Sequence, residues 1–92
     1  MTQICVIYFI LMFHTLCMDY IRHPEFLIKV GENIRRIRTD KGISQLELSY
    51  TTEISRNQIG RIERGEINCG LSTLYELSLG LGIPVYKLFE PM

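Results

Sequence analysis

The sequence predicts an all-α domain behind an apolar N-terminal extension, and three observations carry that expectation. From residue 27 to residue 81, apolar side chains recur at three- and four-residue spacing, one stripe per segment, as in helices that each turn one side to a core. Ser44-Gln45-Leu46-Glu47 and Ser55-Arg56-Asn57-Gln58 both carry the capping-box pattern, Ser followed three residues later by Glu or Gln, which satisfies two orphan N–H groups at a helix start. No segment of this part alternates apolar and polar residues as a half-buried strand does. Ninety-two residues with 47% hydrophobic content suffice for one small domain and one core. A chain this short buries only about 60% of its unfolded surface, so its stability margin is thin.

Residues 1–23 read as the extension and residues 24–92 as the domain. The run at 4–18, I-C-V-I-Y-F-I-L-M-F-H-T-L-C-M, is free of charge. As a helix it spans about 22 Å, short of the ~30 Å hydrocarbon core of a bilayer. It lacks the basic flank and cleavage site of a signal peptide. Four readings stay open: a stretch upstream of a working start at Met18, an added element packing on the domain or a partner, a short membrane anchor, and an uncleaved signal.

The first helix is expected over 25–41. Pro24 suits its first turn and Glu25 the positive end of its dipole. Leu27, Val30, Ile34 and Ile37 form its buried stripe, and Gly42 ends it. A second, short helix over 45–51 follows the cap at Ser44 and buries Leu48 and the small Ser49. Thr52-Glu53-Ile54 is the turn, and Ser55 opens a third helix that closes at Gly65. Two capped short helices so near each other make a helix-turn-helix. Residues 66–71 are a loop with Asn68 and Gly70 as turn formers. Ser72 is expected to cap a fourth helix, with Leu74, Leu77, Ser78 and Leu81 inward and Gly82 at its end. Pro84 starts a fifth, in which Val85, Leu88 and Phe89 fold back on the core.

The stretch S-R-N-Q-I-G-R-I-E-R-G at 55–65 holds the chemistry. At 100° per residue, Ile59 and Ile62 fall on one side, while Arg56, Asn57, Gly60, Arg61 and Arg64 share an arc on the other. Glu63 lies at the border. Polar helix faces are ordinarily solvated surface, but this one has no carboxylate at its centre. Arginine and asparagine are the side chains that bond guanine and adenine edges in a bidentate manner. The net charge of zero argues against a strongly basic nucleic-acid binder, yet between residues 28 and 64 eight Lys and Arg face five acids, a local excess of three positive charges. Cys5, Cys17 and Cys69 form no CxxC pair and His14 and His23 lack ligand-spaced partners. Neither a disulfide framework nor a zinc site is therefore expected, and reduced thiols in a cytoplasmic protein are. With no GxSxG, P-loop or HExxH pattern, no catalytic residue, metal or cofactor is nominated.

From 30 to 89 the chain resembles the lambda-repressor-like, Cro-type (XRE) helix-turn-helix family. The matching residues are N-I-R-R-I-R at 33–38, K-G-I-S-Q at 41–45, Leu48, I-S at 54–55, I-G-R-I-E-R-G-E at 59–66, T-L-Y-E-L at 73–77 and L-G-I at 81–83. The resemblance implies a compact five-helix DNA-binding domain with the third helix in the major groove, acting as a transcriptional regulator. On it, Arg56, Asn57 and Arg61 read bases. Gln45 bonds a phosphate, Ser55 and Gln58 make backbone or peripheral base contacts, and Arg64 and the amides near Asn68 grip phosphate. Arg38 and Glu63 form a structural ion pair between the first and third helices. The implied partner is a pseudo-palindromic operator bound by a homodimer. Tyr75, Leu79 and Tyr86 either form its dimer surface or simply cover the core. The alternative is an antitoxin-like or membrane-tethered interaction protein that uses the apolar run at 4–18.

The chain departs from the family in places. Glu53 stands where a glycine is favoured, so either the turn adjusts or a positive φ is tolerated at about 1 kcal/mol. Ser49 and Ser78 replace alanines, and each hydroxyl needs a backbone partner. Gly60 leaves the middle of the outward arc without a side chain, and Gly31 has no account from the sequence.

Overall fold

Proline at the first turn and a left-handed glycine after the last delimit the longest element. In the computed structural model, which describes residues 23–91, α1 runs Pro24–Asp40, with Pro24 and Glu25 in its first turn. α2 is Gln45–Thr51 and α3 is Arg56–Glu63. Each is capped as its sequence pattern requires: Ser44 Oγ accepts from Glu47 N at 3.0 Å and Ser55 Oγ from Gln58 N at 3.2 Å. α4 runs Leu71–Leu81. The chain steps out of α1, α3 and α4 through glycines of positive φ, Gly42 (70°), Gly65 (70°) and Gly82 (69°), the backbone region where a Cβ is unfavourable. The readings of residues 1–18 fall outside the described residues. Among the described residues no helix is long and apolar enough to cross a membrane.

Three expectations are corrected. The fifth α-helix is a 3-10 helix, Val85–Phe89. Its bonds span three residues, as from Lys87 N to Pro84 O at 3.0 Å, because so short a segment after proline has no room for a second α-turn. Ser72 does not cap α4. Gly70 holds that position in extended geometry with no side-chain bond, which leaves Ser72 exposed inside the helix. Of the three C-terminal apolar residues, Leu88 is fully buried and Phe89 partly, stacked on Phe26 with ring centroids 6.4 Å apart, whereas Val85 stays exposed. Tyr75, Leu79 and Tyr86, for which two readings stood open, are 56%, 57% and 57% exposed.

The helix-turn-helix turn solves the Glu53 problem by adjustment. No described residue other than glycine has positive φ. Thr52 takes the strain out instead. Its backbone is extended (φ −126°, ψ 168°), and its Oγ1 donates to Leu48 O at 2.8 Å and accepts from Ile54 N at 3.4 Å. The serine hydroxyls find the backbone partners they need, Ser49 on Leu46 O and Ser78 on Tyr75 O.

One core joins the elements. Val30 and Ile34 of α1, Leu48 of α2, Ile59 and Ile62 of α3, and Leu74, Leu77 and Leu81 of α4 meet there, closed by Ile54 and Leu88. Asn33 sits on the buried side of α1 and ties down the C-terminal segment, its Nδ2 donating to Leu88 O and Pro91 O, both at 3.2 Å. Arg36 adds a bond from Nη2 to Glu90 O at 2.7 Å.

Gly31 now has its account. A Cβ placed there would stand 2.5 Å from both Ile62 O and Glu63 O, so the backbone of α1 rests on the C-terminal turn of α3. Backbone carbonyls cannot give way as a side-chain end can. Gly31→Ala is expected to lower stability by about 1–3 kcal/mol, the range for overpacking, despite the better helix propensity of alanine. Thermal denaturation checks it, with a fall in Tm of several degrees expected, and an unchanged Tm would mean that the two helices are not in backbone contact.

Candidate nucleic-acid interface

The two sides of α3 have opposite surroundings. Ile59, Gly60, Ile62 and Glu63 are buried, while Arg56, Asn57, Gln58 and Arg61 are exposed, as is Ser55 at the cap. The inner side is held by a network of charge-assisted bonds. Arg38 of α1 donates from Nε to Glu63 Oε2 at 2.6 Å and from Nη2 to Glu63 Oε1 at 3.0 Å, and its Nη1 donates to Ile43 O at 2.8 Å. The pair is deeply enclosed, with side-chain exposures of 10% for Arg38 and 2% for Glu63. Gln45, at the start of α2, joins through Nε2, which donates to Glu63 Oε1 at 3.1 Å. The N-terminus of α2, the last turn of α1 and the end of α3 are thereby locked to one carboxylate.

On the outer side, Gln45, Arg56, Asn57, Gly60 and Arg64 line a shallow depression of about 180 Å³. Arg61, Ser55, Gln58 and Asn68 lie exposed outside it. The depression corrects one expectation. Gly60 is buried rather than presenting bare backbone outward, because the Gln45 amide and the Arg64 guanidinium lie over it, 3.6 Å and 3.1 Å from where its Cβ would stand. Arg64 is also paired with Glu66 at the surface. Amide and guanidinium N–H groups converge on the depression, a set suited to oxygen acceptors such as those of a phosphate.

Sequence reasoning missed that Gln45 bonds Glu63 and that Gly31 is the contact point of α1 on α3. Gly31 lies seven residues before Arg38, hence on the same side of the helix, and that spacing is the signal that would have located it. No sequence pattern announces the Gln45 bond, which depends on how α2 is placed against α3. Cys69 is half-buried, and burial pushes its thiol pKa up, which disfavours the reactive thiolate.

A family model, HTH_3, described as Helix-turn-helix, matches residues 34–88. An HTH-type transcriptional regulator of Sinorhizobium fredii, y4dJ, is 37% identical over 62 residues, which are 67% of this chain and 80% of that protein. The solved restriction-modification controller protein C.AhdI from Aeromonas hydrophila matches with a TM-score of 0.67 and 36% identity, over 68% of this chain and 96% of that one. The controller protein C.Esp1396I, solved as a tetramer in complex with its natural 35 base-pair operator, matches with a TM-score of 0.66 and 34% identity, over 71% of this chain and 86% of that one.

The enclosed ion pair and the surface pair predict different sensitivities. Glu63→Ala strands the Arg38 guanidinium in a site with almost no water, and a loss of about 3–5 kcal/mol is expected. Glu66→Ala breaks an exposed pair, for which about 0–1 kcal/mol is expected. Urea denaturation of the two variants side by side measures the contrast; similar midpoints would contradict it.

Proposed function

The chain belongs to the helix-turn-helix family, and on that premise we propose that it regulates transcription by reading double-stranded DNA with α3 in the major groove. The observation that carries this reading is the polarity of α3. Its inner side is locked to α1 through Glu63 and Arg38, so its outer side can present Arg56, Asn57 and Arg61 with a fixed orientation. Specific recognition needs that fixity, since a base contact discriminates only if the side chain arrives in register. Arg56, Asn57 and Arg61 take the base-reading role. Gln45 and Arg64, together in the depression, take the phosphate role, with Ser55, Gln58 and Asn68 at the periphery. Phosphate contacts set the register and base contacts the sequence.

The reading extends to assembly. Leu71, Tyr75 and Leu79 follow one another at four-residue spacing along α4, and all three are exposed, Leu71 at 82%. An apolar stripe of that kind on a small domain suits a second copy of the chain, and two copies place two α3 helices on half-sites one helical turn apart. The operator is then a pseudo-palindrome. Leu79→Lys is expected to shift the protein to monomer without lowering the stability of the fold, as read by sedimentation equilibrium and a thermal melt. An oligomeric state equal to that of the wild type would remove α4 from the interface.

Selection from random duplexes tests the function itself. A shared half-site should be enriched, and log affinity should fall linearly with log salt concentration. Failure to enrich any sequence would overturn the reading. On the selected site, Arg61→Ala is expected to weaken binding by about 1–3 kcal/mol and to relax preference at one base pair, whereas Gln45→Ala weakens all sequences alike. Unchanged selectivity of the Arg61 variant would take that residue out of base recognition.

A further inference from the structure

Glu63 makes more bonds than its pairing with Arg38 accounts for. Oε2 accepts from Arg38 Nε at 2.6 Å, but Oε1 accepts twice, from Arg38 Nη2 at 3.0 Å and from Gln45 Nε2 at 3.1 Å. We infer that Glu63 is a positioning residue for the DNA backbone contact, holding the Gln45 amide in one orientation through the shared Oε1. The inference rests on the DNA-binding reading and adds to it the link by which a buried charge prepares a surface contact.

A carboxylate only accepts, so the NH2 end of Gln45 must be the end turned toward Glu63; the reverse flip would set a carbonyl oxygen against a carboxylate. One N–H is then committed inward, and the second N–H remains for an acceptor entering the depression. Gly60 lets the amide settle there: its Cβ would stand 3.6 Å from both Nε2 and Oε1 of Gln45, so both polar atoms of the amide lie over the bare backbone of α3. The carboxylate cannot swing to follow a moving glutamine, because Arg38 grips both its oxygens and is itself tied to Ile43 O at 2.8 Å. A glutamine restrained before DNA arrives has less rotamer freedom to lose on contact. Arg64, in the same depression, brings the positive charge that a phosphate requires.

The test combines a measurement on the free protein with a binding cycle. In the free wild-type protein, the side-chain amide protons of Gln45 should exchange with water more slowly by NMR than those of the exposed Gln58, and Glu63→Gln should abolish the difference. On the selected duplex, Glu63→Gln should weaken binding about tenfold in the wild-type background and less than about twofold in the Gln45→Ala background, the signature of coupled residues in a double-mutant cycle. Equal losses in both backgrounds would reduce Glu63 to a purely structural role and overturn the inference. So would a duplex-binding protein whose Gln45 amide exchanges like that of Gln58, a result that needs no variant to fold. A protein whose Gln45 amide is restrained but which binds no duplex overturns the DNA reading, and with it the purpose of the link.

Discussion

A carboxylate withdrawn from water is unfavourable unless its lone pairs are taken up, and Glu63 is almost wholly withdrawn. That requirement shapes the domain. Arg38 must reach Glu63 from α1 with the Nε–Nη2 edge of its guanidinium in line, which sets the rotation of α1 and its distance from α3. The distance is short, and Gly31 makes it attainable, since any Cβ there would run into the carbonyls at the end of α3. Gln45 must approach from α2, which brings the N-terminus of the first helix of the helix-turn-helix beside the second. A buried ion pair is seldom a large source of stability relative to a well-packed apolar group. Its stronger effect here is on geometry, because a bidentate pair tolerates little rotation where an apolar contact tolerates much.

The consequence for function lies on the opposite side of the same helix. α3 has only eight residues, too few to be stable alone. Its conformation is therefore borrowed from the cap at Ser55, the core contacts of Ile59 and Ile62, and the anchor at Glu63. Once these hold the inner side, Arg56, Asn57 and Arg61 are free of structural duty and available to a partner. The overall charge of zero is no obstacle, since what steers a helix to DNA is the local field. Arg64 is different, as Glu66 holds its guanidinium at the surface. An exposed pair of this kind exchanges readily for a phosphate, because little is lost when water or another anion replaces the carboxylate.

Much of this was legible in the chain because its signals are local. Ser44 with Glu47 and Ser55 with Gln58 cap the helices they announce, since a capping box is complete within four residues. The stripe Leu74, Leu77, Ser78 and Leu81 is buried as periodicity requires. Where two local signals competed, the reading failed. Gly70 and Ser72 are both acceptable at a helix start, and the backbone took the glycine. The end of the chain was read as a helix from the same apolar spacing that a 3-10 turn can also carry, and five residues after Pro84 form the tighter turn. Glu53 left two outcomes open, and the choice fell to a bond from the Thr52 hydroxyl that local propensity does not rank.

By itself, the sequence determined which segments are helical, which stripe of each is apolar, and that α3 has a cationic, carboxylate-free outer face, because periodicity and capping operate within a turn or two of helix. The tertiary structure alone decided that Gly31 sits against the end of α3, that Gly60 lies under Gln45 and Arg64, and that one oxygen of Glu63 serves both Arg38 and Gln45. Apart from the place of Arg64 over Gly60, these depend on distances between residues 15 to 32 positions apart, such as Gln45 to Gly60 and Gly31 to Glu63, and such distances exist only once the helices are packed.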